Sequence, residues 1–129
     1  MRPPKFIVEI AKACASTPKR DSRNRFKVGA AIYDKKKLIS FGANDSGRCL
    51  RSYNRKCVRT PGEVHAEVMA IIGARQDLRG CAIVVVRVNK KGDLRIARPC
   101  SFCLSYLESV GLREIYYSTS EGRIEKLIG

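Results

Sequence analysis

The segment Cys81-Ala82-Ile83-Val84-Val85-Val86-Arg87-Val88 constrains the fold more than any other stretch of the chain. It is apolar at nearly every position, without the in-out alternation of a strand that has one wet face. A short β-branched run of this kind, bounded by Gly80 and by Asn89-Lys90-Lys91-Gly92, predicts a strand covered on both faces. The rest of the sequence supplies the covering elements. Pro3 and Pro4 suit the start of a helix whose stripe Ile7, Ile10, Ala11, Cys14 follows helical spacing, and Ser16-Thr17-Pro18 ends it. Phe26 to Tyr33 and Lys37 to Ala43 read as strands joined in a hairpin at Asp34-Lys35-Lys36. Asn44 to Gly62 is polar, basic and irregular, and a connection that long is usually functional or disordered. A helix is expected from Glu63 to about Arg75. The apolar run Val68, Met69, Ile71, Ile72 implies that it is buried on more than one side. Asn89 to Asp93 turns the chain into a short return strand, Leu94 to Ala97. Pro99 opens a further helix that runs to Val110 and is stopped by Gly111. Arg113 to Ser118 is a strand, and Glu121 to Ile128 is read as a last helix. Helices interleaved with a hairpin and buried strands predict an α/β fold, a three-layer α-β-α sandwich around a central mixed sheet.

Length and charge narrow the class. The 129 residues are read as a single domain, 1–129, able to bury roughly two thirds of the surface of the unfolded chain without a metal or disulfide staple. A metal in such a chain serves chemistry before it serves stability. No apolar run approaches the ~20 residues of a membrane span, and the first residues lack the apolar stretch of a secretory signal. A soluble cytoplasmic protein is therefore expected, with no membrane partner. The formal charge is +14, and residues 17–59 hold 13 Lys and Arg against Asp21, Asp34 and Asp45. Such a field draws polyanions, among them nucleotides and nucleic acid.

The chemistry is concentrated in two short motifs. His65, the only histidine, stands in His65-Ala66-Glu67, and Pro99-Cys100-Ser101-Phe102-Cys103 follows, with Cys100 35 residues after His65. One imidazole and two thiolates suit a catalytic zinc, which takes three protein ligands and keeps a fourth position open. Cysteines three apart on the first turn of a helix share one face, and the positive end of the helix dipole favours their thiolates. Zinc lowers the pKa of water toward ~7, and a carboxylate in reach can move the proton. The remaining cysteines, Cys14, Cys49, Cys57 and Cys81, read as core or free thiols of a reducing compartment. Without a second histidine, Cys49 and Cys57 make an incomplete set for another metal.

H-x-E followed by P-C-x-x-C is the signature of zinc nucleobase deaminases. On these residues the chain resembles the cytidine and deoxycytidylate deaminase superfamily, from about Phe26 to Ser118. The resemblance implies a cytidine-deaminase-like fold, Zn2+ as cofactor, His65, Cys100 and Cys103 as its ligands, and Glu67 as the proton shuttle. It implies hydrolytic conversion of the cytosine of a nucleotide or nucleoside to uracil, with release of ammonia. It also implies substrate contacts. Asn44, after Phe41-Gly42-Ala43, would meet the sugar, and the backbone N–H of Ala66 the base carbonyl. Ala30, in the small-residue run Val28-Gly29-Ala30-Ala31, would lie beside the base. Tyr116 and Tyr117 match the strand that ends near the substrate phosphate or a flanking base. Alternation lets only one of them serve, and Tyr117 is taken. Arg98, where tRNA adenosine deaminases have glutamate, lowers the expectation of adenine editing. The Asn89 to Ala97 hairpin is extra relative to the simplest deoxycytidylate enzymes.

Two substrate classes stay open at this point. A mononucleotide needs one or two cations at its phosphate, for which Arg48, Arg51, Arg55 and Arg59 are candidates. Single-stranded DNA or RNA needs a basic track with stacking aromatics, and Phe26, Tyr33, Phe41 and Tyr53 are interspersed with the cations of residues 17–59. By the resemblance, the hairpin and the long loop that carry this charge border the pocket. A third reading is a non-catalytic zinc-containing nucleic-acid-binding module. A homo-oligomer is compatible with the sequence, which does not set the subunit count.

Overall fold

The apolar strand is the centre of the molecule. In the computed structural model, which describes residues 3–16, 27–43, 66–89, 91–97 and 101–128, it forms β3 (Ala82–Val88), buried at every position except Arg87. Before it come α1 (Lys5–Ser16), β1 (Lys27–Asp34), β2 (Lys37–Ala43) and α2 (Ala66–Ala74). After it come β4 (Leu94–Arg95), α3 (Ser101–Ser109), β5 (Glu114–Ser118) and β6 (Ile124–Ile128). Among the described residues, the strands make one sheet in the order β2-β1-β3-β5-β6, with β4 paired to β3 off that path. β1 runs antiparallel to β2 and β3, and β3 runs parallel to β5, so the sheet is mixed.

Alternation along the strands sorts the core into two layers, as a strand covered on both faces requires. Ala31, Val84 and Tyr116 meet Ile7, Ala11 and Ala15 of α1 on one face. Ala30, Val85 and Ile115 meet Ala66 and Ala70 of α2 and Leu107 of α3 on the other. The expected α-β-α sandwich is therefore present. On α1 the fully buried stripe is Ile7, Ala11, Ala15; Ile10 and Cys14 are half-buried. α3 ends as expected: Gly111 N–H donates to the Glu108 carbonyl at 3.0 Å and Leu112 N–H to that of Leu107 at 3.4 Å, the paired bonds of a Schellman cap. Cys14 and Cys81 are free thiols, and burial pushes the Cys81 thiol up. Cys49 and Cys57 lie outside the described residues.

Four expectations are corrected. The segment read as a last helix, Glu121 to Ile128, contains the strand β6, paired antiparallel with β5. Its Glu-Lys-Leu content favours a helix, but the turn before it prevails. Thr119 N–H donates to the Arg123 carbonyl at 2.8 Å, and Gly122 adopts φ +80°, closing a hairpin that commits the next residues to the sheet. The return strand is shorter than Leu94 to Ala97, pairing with β3 only at Leu94 and Arg95. Tyr33 is no stacking platform: it is 4% exposed in the α1 layer. Phe41 is 56% exposed but stands opposite Ala31, on the α1 face of the sheet and away from α2. Phe26 and Tyr53 lie outside the described residues.

The β1-β2 hairpin tip also departs from the expected setting. Lys35, Lys36 and Lys37 close the turn where Asp34 pairs with Lys37, whereas α2 begins over Gly42 and its partner Ala30. Four residues of strand put the tip about 13 Å from that point. The lysines therefore do not border the start of α2.

Candidate active site

Two small residues decide how α2 sits on the sheet. A β-carbon on Gly42 would lie 2.6 Å from the Ala70 nitrogen, 2.8 Å from Met69 Cβ and 3.0 Å from the Ala66 carbonyl oxygen. Only glycine allows that approach. Beside it, the Ser40 hydroxyl donates to the Ala70 carbonyl at 2.7 Å, a buried bond that fixes the helix along β2. Ala66 thereby reaches full burial over β1, in the same layer as Ala30.

The next residue is Glu67, 4% exposed in the first turn of α2. Glutamate is rarely buried so fully, because an ionised carboxylate out of water needs compensating partners. Its position in the first turn lets the helix dipole favour a negative charge there. Of the candidate residues, Ala30, Ala66 and Glu67 are all buried, with Ala30 and Ala66 packed in one layer. Tyr117 lies on β5 opposite Val85 and so shares the α2 and α3 face, half-buried, with its hydroxyl 3.4 Å from Glu125 Oε2. Tyr116 points the other way, into the α1 layer, where its hydroxyl donates to Glu114 Oε2 at 2.7 Å.

His65, Cys100 and Asn44 lie outside the described residues, as do Arg48, Arg51, Arg55 and Arg59. Cys103 falls in the first turn of α3, with only its backbone described. Among the described residues no group of three His, Cys, Asp or Glu side chains forms a metal cluster. The described flanks of the two motifs lie on one face of the sheet. Ala66, one residue after His65, and Ala97, three before Cys100, belong to the same buried layer as Leu107 of α3. One imidazole and two thiols in the sequence, with the buried Glu67 carboxylate one residue after Ala66, are a donor set of the chemistry zinc takes.

One residue that sequence reasoning missed stands at the end of β5. Ser118 is fully buried and its hydroxyl is engaged on both sides, accepting from Arg87 N–H at 3.1 Å and donating to the Arg95 carbonyl at 2.6 Å. A serine after two tyrosines gives no signal in the sequence. Its role depends on β4 lying beside it. A cleft of about 370 Å³ lined by Ile71, Arg75, Tyr106 and Val110 sits at the far ends of α2 and α3, away from both motifs.

Comparison with known proteins agrees with this arrangement. Residues 2–119 match the family described as the cytidine and deoxycytidylate deaminase zinc-binding region, and the chain belongs to that family. No curated protein matches it. Among solved structures it is similar to the dCMP deaminase of cyanophage S-TIM5 in its apo form, with TM-score 0.64 and 20% identity over 92% of this chain and 86% of that one. The same phage enzyme has been solved with dCMP and dUMP. Cytidine deaminase from Burkholderia pseudomallei gives TM-score 0.63 and 23% identity, covering 95% of this chain and 90% of that one. RibD from Acinetobacter baumannii gives 0.58 and 17%, covering 88% of this chain but 27% of that one. These likenesses establish the cytidine-deaminase fold. No described helix is long and apolar enough to cross a membrane.

Proposed function

We propose that the chain is a zinc-dependent hydrolytic deaminase that converts the cytosine of a nucleotide or nucleoside to uracil and releases ammonia. The observation that carries this reading is the buried Glu67, in the first turn of a helix whose neighbour, on the same face of the sheet, bears Cys103 in its own first turn. Family membership and the fold shared with cytidine and dCMP deaminases support it.

In this reading His65, Cys100 and Cys103 hold zinc. The metal supplies a Lewis acid that makes water nucleophilic at neutral pH. Glu67 takes the proton from that water and delivers it to the ring nitrogen next to the carbon under attack. The water oxygen bonds to C4. Glu67 then carries the proton of the new C4 hydroxyl to the exocyclic amine, whose bond to C4 breaks, so that ammonia leaves and the uracil carbonyl remains. The Ala66 N–H, in a first helical turn where such groups lack intrahelical acceptors, donates to the base carbonyl. Ala30 lies beside the base, Asn44 meets the sugar, and Tyr117 stands toward the phosphate. Burial of Glu67 keeps bulk water from competing for its proton.

A mononucleotide is favoured over a polymer because two of the aromatics counted as a stacking track, Tyr33 and Phe41, stand on the α1 face. The test is a parallel assay of zinc-loaded protein on dCMP, CMP, cytidine and a cytosine-containing single-stranded oligonucleotide, with Glu67→Ala as control. Uracil from the free nucleotides, lost in the control, is the expected result. Uracil in the oligonucleotide alone would replace the substrate. Zinc binding with no deamination of any of the four would leave only a zinc-containing binding module.

A further inference from the structure

Among the described residues, β4 holds Arg95 to the sheet by a short pairing, and Ile96 and Ala97 lie beyond it. β4 pairs with β3 at only two positions, Arg87 with Arg95 and Val88 with Leu94. Three residues after Ala97 comes Cys100. A ligand segment hung from a two-residue strand needs another anchor, because distance errors of about 1 Å suffice to spoil a metal site.

Ser118 provides that anchor. Its hydroxyl donates to the Arg95 carbonyl at 2.6 Å and accepts from Arg87 N–H at 3.1 Å, and its own carbonyl accepts from Ala97 N–H at 3.0 Å. Three strands, β3, β4 and β5, are thereby joined at one fully buried residue. A hydroxyl has one proton to give and lone pairs to receive, so a single atom ties β3 to the departing chain on its other side. The Ala97 bond holds the chain two residues nearer the cysteines. Alanine at 118 removes the side-chain link that the part-buried Arg87 N–H and Arg95 carbonyl share.

We infer that Ser118 is a positioning residue for zinc, setting the path of Arg95–Ala97 and through it Cys100 and Cys103. This inference rests on the deaminase reading, because it presumes that those cysteines bind the metal. Groups that orient metal ligands typically alter affinity by 10 to 100-fold when removed.

The experiment follows zinc loss from the full-length, zinc-loaded protein to a chromogenic chelator, with thermal unfolding measured on the same samples. Ser118→Ala is expected to release zinc about tenfold faster than wild type. Ser118→Thr, which keeps donor and acceptor, is expected to stay near the wild-type rate. Tyr116→Phe is the control for a lost hydrogen bond on the same strand. It deletes the bond to Glu114 in the α1 layer and should leave zinc release unchanged. Wild-type release from Ser118→Ala, equal acceleration in Ser118→Ala and Tyr116→Phe, or equal acceleration in Ser118→Ala and Ser118→Thr would overturn the inference alone. Failure of the wild type to hold zinc would overturn the deaminase reading as well.

Discussion

Gly42 of β2 and Ala66 of α2 meet backbone to backbone: a β-carbon on the glycine would stand 3.0 Å from the Ala66 carbonyl oxygen and 2.6 Å from the Ala70 nitrogen. Neither neighbour is a flexible side chain that could swing away. Gly42→Ala should therefore lift the start of α2, and with it Glu67, from the sheet. The expected cost is about 1 to 3 kcal/mol in urea unfolding, the usual range for overpacking, with a larger proportional loss of deamination. Unchanged stability and activity would show that α2 has slack here.

Tyr33 carries a buried hydroxyl with no hydrogen-bond partner among the described residues. Burial, with Tyr116 and Glu114 nearby, pushes its pKa above the ordinary tyrosine value, so it stays a neutral, unpaired donor. Replacing an unsatisfied buried group by an apolar one of the same shape is neutral or stabilising. Tyr33→Phe is expected to stabilise the protein by about 1 kcal/mol, read by thermal unfolding. A clear loss of stability would mean that the hydroxyl has a partner in solution.

Glu114 makes stability depend on acid. The Tyr116 hydroxyl at 2.7 Å, helped by Lys126 at 3.7 Å, holds its carboxyl below the usual carboxylate range. A carboxylate with a depressed folded pKa contributes stability above its unfolded value, ~4.3, and loses it as pH falls through the folded value. Removing the hydroxyl with Tyr116→Phe should cost about 1 kcal/mol near neutral pH, with the gap to wild type closing below about pH 4. A gap that is constant with pH would assign the loss to packing.

The tip lysines offer a test of where the charge acts. Lys35, Lys36 and Lys37 lie at the turn end of β1 and β2, about 13 Å from Ala30 by strand rise. A Debye length of about 8 Å at physiological salt screens exposed charges over that distance. Replacing all three with serine should leave kcat/KM for a mononucleotide within about twofold of wild type. A KM several-fold higher would place these lysines at the substrate.

The fold was legible where a sequence pattern had one physical solution. The nearly unbroken apolar run of β3 required cover on both faces, and the spacing of Pro3, Pro4 and the α1 stripe, or of Val110 and Gly111, marked helix ends. It was illegible where a long-range partner decides the outcome. Ile124 to Ile128 has the composition of a helix and becomes a strand because the Thr119 to Arg123 turn presents it to β5. Tyr33 looked like a surface aromatic beside Asp34, but the pairing of β1 with β3 turns it inward. In the candidate site, His65-Ala66-Glu67 and the paired cysteines were visible as short motifs. Ser118 was not, because its worth depends on Arg87, Arg95 and Ala97, which lie 21 to 31 residues earlier in the chain.

The most direct measurement strips the protein with a chelator, restores zinc, and follows dCMP to dUMP and ammonia for wild type and Glu67→Gln. Wild-type activity should vanish with the metal and return with it, while far-UV circular dichroism changes little. Glu67→Gln should rebind zinc and unfold at a similar temperature, yet turn over about 10² to 10⁴ times more slowly, the range for a lost proton-transfer group. A folded, zinc-loaded wild type that leaves both dCMP and cytidine unchanged, or a Glu67→Gln variant as fast as wild type, would contradict the account.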